Sequence, residues 1–267
     1  MKYLFWNTYK KNLDSVICNI VSEFSCDIIC IAEYGGIINE LIMQLNKDRL
    51  VYFKIQGLEN DRIKIFTKFK PTQIENVYDA GYFTIKKIPH EILGMQIMVF
   101  VHLPSKLYVD DLTRFTVAQS LKNEVDRVEK DFKCNNTIIV GDFNMNPYDL
   151  GMSGASALNC ISSREVAKMN RRMVFGKEHT MFYNPMWGFL GDLNAPNGSY
   201  FYNDSSQEVN YYWNVFDQVI IRPSLIDFFN PSTIKLLQKT KNHVLIDERG
   251  RPNKRVYSDH LPLYFEL

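Results

Sequence analysis

The feature that most constrains the fold is a set of short apolar segments that stop at a polar residue. The clearest is residues 137–144, TIIVGDFN, in which a run typical of a buried strand leads into Gly141, Asp142 and Asn144. The polar residues at such ends are Asn7, Glu33, His102, Asp142, Asp217, Asp259 and His260. If the last two of these strands run antiparallel to the others, all of these residues lie along one edge of the sheet core, where α/β proteins place chemistry.

The spacing of apolar residues predicts a mixed α/β fold. Helical spacing predicts helices at residues 12–24, 37–45 and 112–132. Strands are predicted near 3–7, 28–32, 51–56, 63–68, 73–78, 82–88, 96–101, 137–140, 217–221, 243–246 and 261–267. Residues 143–216 are predicted to be mostly helix and irregular chain. The strand–helix–strand order at the start indicates a parallel pair, whereas the short strands between 50 and 102 are typical of antiparallel meanders.

Composition places the chain among globular proteins. Of its 267 residues 46% are hydrophobic and 23% are charged, and no apolar run is long enough to span a bilayer. The apolar part of the N-terminus is too short for a signal peptide. The five cysteines have no paired spacing, so we interpret them as buried thiols in a reducing cytoplasm. We expect one domain, residues 1–267, with a cytoplasmic location.

The strand-end residues also have structural interpretations when each is taken alone. Asn7 is a common turn former, Glu33 suits a helix cap, and GDFN and SDH suit turns. His102 alone is more typical of a half-buried structural histidine. These interpretations must together explain six coincidences of position and residue type, so a single site is the simpler hypothesis.

The inventory of the predicted site favours a hard cation. It contains several carboxylates, two amides and two histidines, but no nucleophile elbow, no cysteine beside a histidine and no glycine-rich phosphate loop. Oxygen ligands with few histidines favour Mg²⁺ or Mn²⁺. Mg²⁺ takes one or two protein carboxylates and completes its shell with water and phosphate oxygens, so the pattern predicts metal-assisted hydrolysis of a phosphate ester.

Six motifs in order resemble those of the endonuclease/exonuclease/phosphatase superfamily, which has the deoxyribonuclease-I-like fold. They are FWN at 5–7, IAE at 31–33, VHLPS at 101–105, VGDFN at 140–144, FDQVII at 216–221 and SDHLP at 258–262. Any one of them is a weak signal, but the ordered set is specific. The resemblance implies a four-layer α/β sandwich, two packed mixed β-sheets flanked by helices, with the active site at one edge.

The resemblance also implies a metal site. Glu33 is the principal ligand of Mg²⁺ or Mn²⁺, and Asn7 and Asp259 lie beside the metal, directly or through water. The sequence departs from the family at two positions close to site residues. Ala32, just before Glu33, replaces a common Gln, and Phe100, two residues before His102, replaces a common Asn. Neither departure removes a residue assigned to the metal.

The remaining roles implied by the resemblance concern water and phosphate. Asp142 activates or orients the attacking water with the help of Asn144, whose amide also contacts the phosphate. His260 contacts the scissile phosphate, and Asp217 fixes its tautomer. His102 matches a second histidine of some members, which contacts phosphate or protonates the leaving group.

An aromatic-rich insertion at about 178–216 bears on the substrate. It carries eleven aromatic residues from Phe182 to Phe216, with asparagines interleaved. Half of these rings are expected to pack on the sheet, and the others are candidates for a platform that stacks bases. Trp213 and Tyr212, which are close in sequence to Asp217, are the first candidates.

Two basic segments add to this hypothesis. Arg164, Lys168 and Arg172 have the spacing of one helix face, and residues 233–257 contain seven basic and two acidic residues, a net charge of +5. A solvated surface is the ordinary interpretation of such segments, and phosphate binding is the alternative.

Three functions remain open at this stage. A phosphodiesterase or nuclease acting on nucleic acid is the leading hypothesis. The alternative is a phosphatase or phosphodiesterase acting on a small-molecule or lipid-headgroup phosphate. A binding protein without activity is disfavoured, because every expected polar group is present.

Overall fold

The computed structural model describes residues 1–49, 51–55, 62–193, 195–204, 206 and 208–267. Its helices are α1 Asp14–Phe24, α2 Ile38–Leu45, α3 Asp111–Phe132, α4 Leu150–Ser153 and α5 Arg164–Ala167. Its strands are β1 Lys2–Asn7, β2 Ile28–Ala32, β3 Phe53–Ile55, β4 Ile63–Thr67, β5 Glu75–Asp79, β6 Phe83–His90, β7 Gly94–His102, β8 Thr137–Asp142, β9 Cys160–Ile161, β10 Arg171–Val174, β11 Lys177–Thr180, β12 Phe182–Tyr183, β13 Tyr200–Phe201, β14 Trp213–Asn214, β15 Asp217–Ile221, β16 Lys235–Leu236 and β17 Leu263–Glu266.

Two large mixed sheets contain most of these strands. The first has the order β16-β17-β1-β2-β4-β3 and the second the order β5-β6-β7-β8-β15-β12-β9. The pairs β1–β2, β7–β8 and β9–β12 are parallel, and the other pairs within these sheets are antiparallel. The pairs β10–β11 and β13–β14 form separate two-stranded sheets.

The side chains of the central strands β7 and β8 point alternately to the two faces of the second sheet, and each face packs against a different layer. Successive side chains of a strand point to opposite faces, so Phe100 and Val140 join the core shared with the first sheet, whereas Val99 and Ile139 face the other way. The second face packs against α3, whose Leu121 is fully buried there. Helix α1 packs on the core of the first sheet. The structure therefore confirms the predicted four-layer α/β sandwich.

Strand register brings the predicted residues to one edge. In the parallel pair β7–β8, His102 lies opposite Asp142, and in the antiparallel pair β8–β15, Asp217 lies opposite Asp142. Asn7 lies opposite Ala32, which immediately precedes Glu33. Strand β17, which follows Asp259 and His260, runs antiparallel to β1. The prediction that the last two strands run antiparallel to the earlier ones is confirmed.

Two sequence predictions of secondary structure are wrong. Arg164, Lys168 and Arg172 do not share a helix, because α5 ends at Ala167, Asn170 adopts a left-handed conformation with φ 67°, and Arg172 lies in β10. Residues 243–246 form no strand but only isolated bridges, from Val244 to Lys239 and from Ile246 to Pro252.

The segment after β8 is mostly helix and irregular chain, as predicted. Residues 143–216 contain α4 and α5, and they also contain six short strands, β9 to β14, that were not predicted. These strands are two to four residues long, and such short segments carry too little alternation to be recognised. Residue 56, the end of the strand predicted at 51–56, lies outside the described residues.

The cysteines are free thiols at buried or half-buried positions. Cys26, Cys30 and Cys160 are buried, and Cys18 and Cys134 are half-buried. Burial raises the pKa of Cys26 to about 12. None of the helices in the described part of the chain has the length and hydropathy needed to cross a bilayer.

Replacement of Phe100 tests the core between the sheets. Phe100 is fully buried, so Phe100→Ala should lower the free energy of unfolding by about 3–5 kcal/mol, through lost transfer free energy and a residual cavity. Leu112→Ala is the control, because Leu112 is 71% exposed and should change stability by less than about 0.5 kcal/mol. Urea unfolding measures both variants, and equal losses would contradict the assignment of Phe100 to this core.

Candidate active site

Asp142 lies at the centre of the edge where the strand ends meet. Asn7 Nδ2 donates to its Oδ2 at 3.0 Å, and the backbone N–H of Asn144 donates to its Oδ1 at 2.9 Å. The Nε2 atoms of His102 and His260 each lie 3.9 Å from Asp142 Oδ2. Asp142 is 1% exposed, so its buried carboxylate is held entirely by groups that the sequence analysis had selected.

Gly141 is required by the close approach of β7. A Cβ atom on Gly141 would lie 2.0 Å from the carbonyl oxygen of Val101, and its φ is 152°. Phe143 follows Asp142 and is fully buried, so its ring fixes the turn to the core. The sequence Gly-Asp-Phe-Asn therefore sets the direction in which the Asp142 carboxylate leaves β8.

Asn144 is held from three sides. It adopts φ 50°, which asparagine tolerates, and its Nδ2 donates to the carbonyl of Leu103 at 2.9 Å. Arg114 Nη1 of α3 donates to the Asn144 carbonyl at 2.7 Å. The sequence analysis missed Arg114, although a charged residue four positions before Ala118 on the apolar face of α3 was a usable signal.

His260 and Asp217 form a buried pair. His260 Nδ1–H donates to Asp217 Oδ2 at 2.8 Å. Burial of the ring alone would lower the pKa of His260, but the carboxylates of Asp217 and Asp142 outweigh burial and raise it to about 10. Burial raises the pKa of Asp217, and the charge of His260 opposes that rise. We infer a protonated imidazole at neutral pH whose Nε2 is directed towards Asp142.

Backbone contacts fix the position of His260. Trp6 Nε1 donates to the His260 carbonyl at 2.9 Å, and the His260 N–H donates to Ser258 Oγ at 3.1 Å. Ser258 Oγ in turn donates to the carbonyl of Asn7 at 2.6 Å. Ser258 therefore ties the segment of His260 to the end of β1. Trp6 and Ser258 stood inside quoted motifs, but sequence reasoning assigned them no role.

Glu33 lies beside His102. Its Oε1 is 3.4 Å from His102 Nε2, and the hydrogen bond with His102 is the main cause that lowers the pKa of Glu33. Glu33 itself is in the left-handed region with φ 48°. Its carbonyl accepts from Lys10 N at 2.8 Å and from Thr8 Oγ1 at 2.9 Å, so the strained residue is held firmly.

The donor set of the site fits a hard divalent cation. Asp259 Oδ1 is buried without a hydrogen-bond partner. Burial is the main cause that raises the pKa of Asp259, and the nearby charge of Glu33 adds to the rise. Asp259 Oδ1 lies 3.9 Å from His260 Nε2 but accepts no hydrogen bond, so this carboxylate is suited to share a cation such as Mg²⁺ or Mn²⁺ with Glu33.

A second group of donors has a different explanation. One ligand atom each of Asp142, Asp217 and His260 lies within 4.8 Å of the others. His260 Nδ1 is already hydrogen-bonded to Asp217, so this group forms a positioned histidine instead of an open ligand set. Glu33 and Asp259 remain as the carboxylates that could hold a metal, and Asn7 is already committed through Oδ1 to Tyr9 N and through Nδ2 to Asp142.

The comparisons with known proteins rest on structure. Neither protein-family models nor curated proteins match the sequence. The chain is similar to an AP endonuclease from Archaeoglobus fulgidus, with 13% identity, TM-score 0.58 and 100% of both chains covered. It is similar to the 3′ phosphatase NExo from Neisseria bound to a product DNA hairpin, with 12% identity, TM-score 0.57 and 100% of this chain and 99% of that chain covered.

A third solved structure names the superfamily. It is an endonuclease/exonuclease/phosphatase family protein from Bacteroides thetaiotaomicron, with 13% identity, TM-score 0.56 and 100% of this chain and 98% of that chain covered. The chain has the endonuclease/exonuclease/phosphatase fold. At these identities the likeness is one of fold, and it confirms the architecture that the six sequence motifs implied.

The aromatic residues of this endonuclease/exonuclease/phosphatase fold are not all equally close to the site. The ring of Tyr200 lies against His260, with centroids 4.7 Å apart, and stacks on Phe216 at 5.2 Å. Trp213 packs edge-on against Phe201 at 5.3 Å, and Tyr212 lies near the same ring at 6.3 Å. Tyr200 therefore contacts the site histidine, whereas Trp213 and Tyr212 belong to the next layer of rings.

Several basic residues of the two segments serve the fold. Arg164 donates to the carbonyls of Phe229 and Ile226 at 2.9 and 2.7 Å. Arg172 Nε donates to Asn159 Oδ1 at 2.7 Å. The Arg251 guanidinium bonds to Asp247 Oδ2 at 2.9 and 2.7 Å.

Lys254 and Arg255, unlike these three arginines, are candidates for contact with a ligand. Both residues are exposed, and they lie on the loop that leads to Asp259.

The titration of His260 tests the buried pair. Because the pKa in the folded protein is raised to about 10, the ring should stay protonated at pH 8 in metal-free protein, as seen in the pH dependence of its NMR signals. The stabilisation from this pair should be complete below the ordinary pKa of 6.5 and should be lost as pH rises through about 10.

Asp217→Asn should lower the His260 pKa, because it removes the carboxylate that raises the pKa most. Asp247→Asn is the control, since Asp247 pairs with Arg251 instead. A wild-type His260 that titrates near 6.5 would contradict the assignment.

Proposed function

We propose that the protein is a divalent-metal-dependent phosphodiesterase that hydrolyses nucleic acid. The observation that carries the proposal is the buried Asp142 carboxylate, held by Asn7 and flanked at 3.9 Å by the Nε2 atoms of two histidines. A carboxylate that accepts a proton from water, beside an imidazolium that binds phosphate, is the arrangement needed for hydrolysis.

In this mechanism Asp142 orients the attacking water and takes its proton. His260 binds the scissile phosphate through Nε2, because Nδ1 is held by Asp217. The protonated ring stabilises the negative charge that develops on the phosphate oxygens. Asp217 is a positioning residue, since it acts only through the tautomer and orientation of His260.

His102 and Asn144 complete the proposed phosphate site. His102 Nε2 lies 3.4 Å from Glu33 Oε1 and 3.9 Å from Asp142 Oδ2, and the proposal gives this ring contact with phosphate or protonation of the leaving group. Asn144 braces the loop through its bond to Leu103, and the proposal gives its amide a second contact to the phosphate.

Glu33 and Asp259 would hold the cation, with Asn7 beside it. Mg²⁺ or Mn²⁺ supplies positive charge that polarises the phosphate oxygens and stabilises the leaving group. The carboxylates of Glu33 and Asp259 are the ligands, and Asn7 supports the site by orienting Asp142.

Nucleic acid is the substrate class that the surroundings favour. The similar protein NExo is bound to a product DNA hairpin, and another similar protein is an AP endonuclease. In this chain Tyr200 places an aromatic face directly beside His260. The proposal treats residues 1–267 as one catalytic domain and 178–216 as an insertion that carries this ring. A small phosphorylated molecule is the alternative substrate.

Removal of the metal tests the proposal most directly. Release of acid-soluble nucleotide from plasmid, single-stranded DNA and RNA should require Mg²⁺ or Mn²⁺ and should stop with chelator. Glu33→Gln should raise the metal concentration needed for half-maximal activity at least tenfold. Glu178→Gln, at an exposed glutamate paired with Arg171, is the control and should behave as wild type.

Two results would overturn the proposal. Full activity in excess chelator would exclude the metal, and hydrolysis of inositol phosphates or nucleotides with no action on polynucleotides would favour the alternative substrate.

A double-mutant cycle tests the pairing of Asp217 with His260. His260→Ala and Asp142→Asn should each lower kcat at least 10²-fold, the usual scale for acid–base groups. Asp217→Asn should cost less than His260→Ala, and the Asp217→Asn/His260→Ala double variant should be little worse than His260→Ala alone. Strictly additive losses would show that Asp217 does not act through His260.

A further inference from the structure

Residues 8–11, the loop that follows β1, have a backbone conformation that is unfavourable for their sequence. Tyr9 has φ 51° and Lys10 has φ 55°, so two consecutive residues with side chains are left-handed. Such a conformation costs free energy for any residue except glycine and, to a lesser degree, asparagine and aspartate. Ser25 and Lys133 are also left-handed, but they end helices α1 and α3, where this conformation is usual.

Contacts with the site hold the 8–11 loop in this conformation. Tyr9 N donates to Asn7 Oδ1 at 3.1 Å, and Lys10 N donates to the Glu33 carbonyl at 2.8 Å. A Cβ atom on Gly35 would lie 2.0 Å from the Lys10 carbonyl oxygen, so only glycine permits this approach. The loop is therefore fixed to the two strand ends that carry Asn7 and Glu33.

The loop presents an aromatic ring and cations beside the site. Tyr9 is 48% exposed, and its hydroxyl is among the groups that raise the pKa of Tyr200, after burial and the nearby carboxylates. Lys10 is exposed, and its charge is one of the lesser causes that lower the pKa of Glu33. Strain and exposure alone do not mark a ligand contact, since the exposed Phe175 is also left-handed, but Tyr9 and Lys10 are strained residues bonded to the strand ends of the site.

A second loop adds cations next to the first. Lys11 Nζ bonds to the carbonyls of Lys254 and Arg255, which precede Asp259. The charge of Lys254 lowers the pKa of Asp259, as a lesser contribution. The two loops are therefore joined to each other, and each adjoins a carboxylate of the site, because Lys10 N bonds to the Glu33 carbonyl and Lys254 and Arg255 precede Asp259.

We propose that the 8–11 loop is a substrate-specificity subsite for the nucleotide next to the scissile phosphate. Tyr9 stacks on the base of that nucleotide, and Lys10 binds its outer phosphate. This inference rests on the proposed function and adds a requirement to it. The substrate must extend beyond the reacting phosphate by at least one nucleotide. A minimal phosphodiester lacks that nucleotide and cannot occupy the subsite.

Tyr9→Asn is the decisive variant. Asparagine tolerates the left-handed region, so the variant should keep or raise Tm while it removes the ring. The KM for a short single-stranded oligonucleotide should rise about 5- to 150-fold, the range expected for one lost base–aromatic stack, and kcat should change much less. The KM for bis-p-nitrophenyl phosphate should change less than that for the oligonucleotide, and Tyr9→Phe should retain the oligonucleotide KM of wild type.

Phe175→Asn is a matched control. Phe175 is also a left-handed aromatic residue, with φ 49°, and it is fully exposed on the turn between β10 and β11. Phe175→Asn should therefore relieve the same kind of strain and raise Tm, with no effect on the oligonucleotide KM. An equal rise in KM for both variants would overturn the subsite.

Lys10→Ala tests the phosphate contact separately. The slope of log affinity against log salt should become shallower by roughly 0.7, the value for one contact to a single strand. Lys177→Ala, at an exposed lysine that begins β11, should leave the slope unchanged. An unchanged slope in Lys10→Ala would overturn the phosphate contact.

The subsite and the proposed function fail in different ways. If wild type hydrolyses the oligonucleotide and Tyr9→Asn has the same KM, the subsite is wrong and the function stands. If wild type hydrolyses neither substrate, the function is wrong. In that case the affinity of the same oligonucleotide is measured by fluorescence anisotropy. Equal affinity for wild type and Tyr9→Asn would overturn the subsite.

Discussion

The site depends on one buried carboxylate whose position is set by strand register. Asp142 ends β8, and its neighbours across the sheet are His102 on β7 and Asp217 on β15. A slip of one residue in either pair would turn His102 or Asp217 to the opposite face, because side chains alternate along a strand. The fully buried Phe143 and the close approach at Gly141 oppose such a slip. The packing of the second sheet is therefore also what positions the proposed chemistry.

The charges at this edge are not balanced by the chain alone. Asp142, Asp217 and Asp259 are buried or largely buried, and the imidazolium of His260 approaches all three, with its ring nitrogens 3.9, 2.8 and 3.9 Å from their oxygens. Burying a carboxylate costs free energy unless hydrogen bonds or opposite charge compensate it. Asp217 is compensated by His260, and Asp142 by Asn7 and Asn144. Asp259 Oδ1 accepts no hydrogen bond among the described residues and lies 3.9 Å from His260 Nε2, so one imidazolium faces three carboxylates and a bound cation would add positive charge there.

The sequence predicted well those elements whose residues have a single physical requirement, such as apolar side chains that must be buried in a strand. Buried strands ending at Asn7, Glu33 and Asp142 follow from alternation and polarity, and their convergence follows from strand direction. The helix predicted for Arg164 to Arg172 failed because basic residues at helical spacing carry no information about packing. The position of Arg114 on the apolar face of α3 was a usable signal, but its partner was not visible in the sequence, since the bond to the Asn144 carbonyl joins two elements 30 positions apart. Contacts of that kind become apparent only when the fold is known.

Backbone strain is concentrated at the edge of the sheets that carries the proposed site. Glu33, Asn144, Tyr9 and Lys10 are all left-handed, and all four lie on loops that leave the strand ends of the site. Such strain costs roughly 1–3 kcal/mol for each residue and persists only where surrounding contacts over-determine it. The hydrogen bonds from Thr8 and Lys10 to the Glu33 carbonyl provide that constraint, so one strained residue is held by a loop that is itself strained. Glycine or asparagine would relieve the strain at Glu33, Tyr9 and Lys10. Under the proposed function the carboxylate of Glu33 accounts for its place, and under the proposed subsite the side chains of Tyr9 and Lys10 account for theirs.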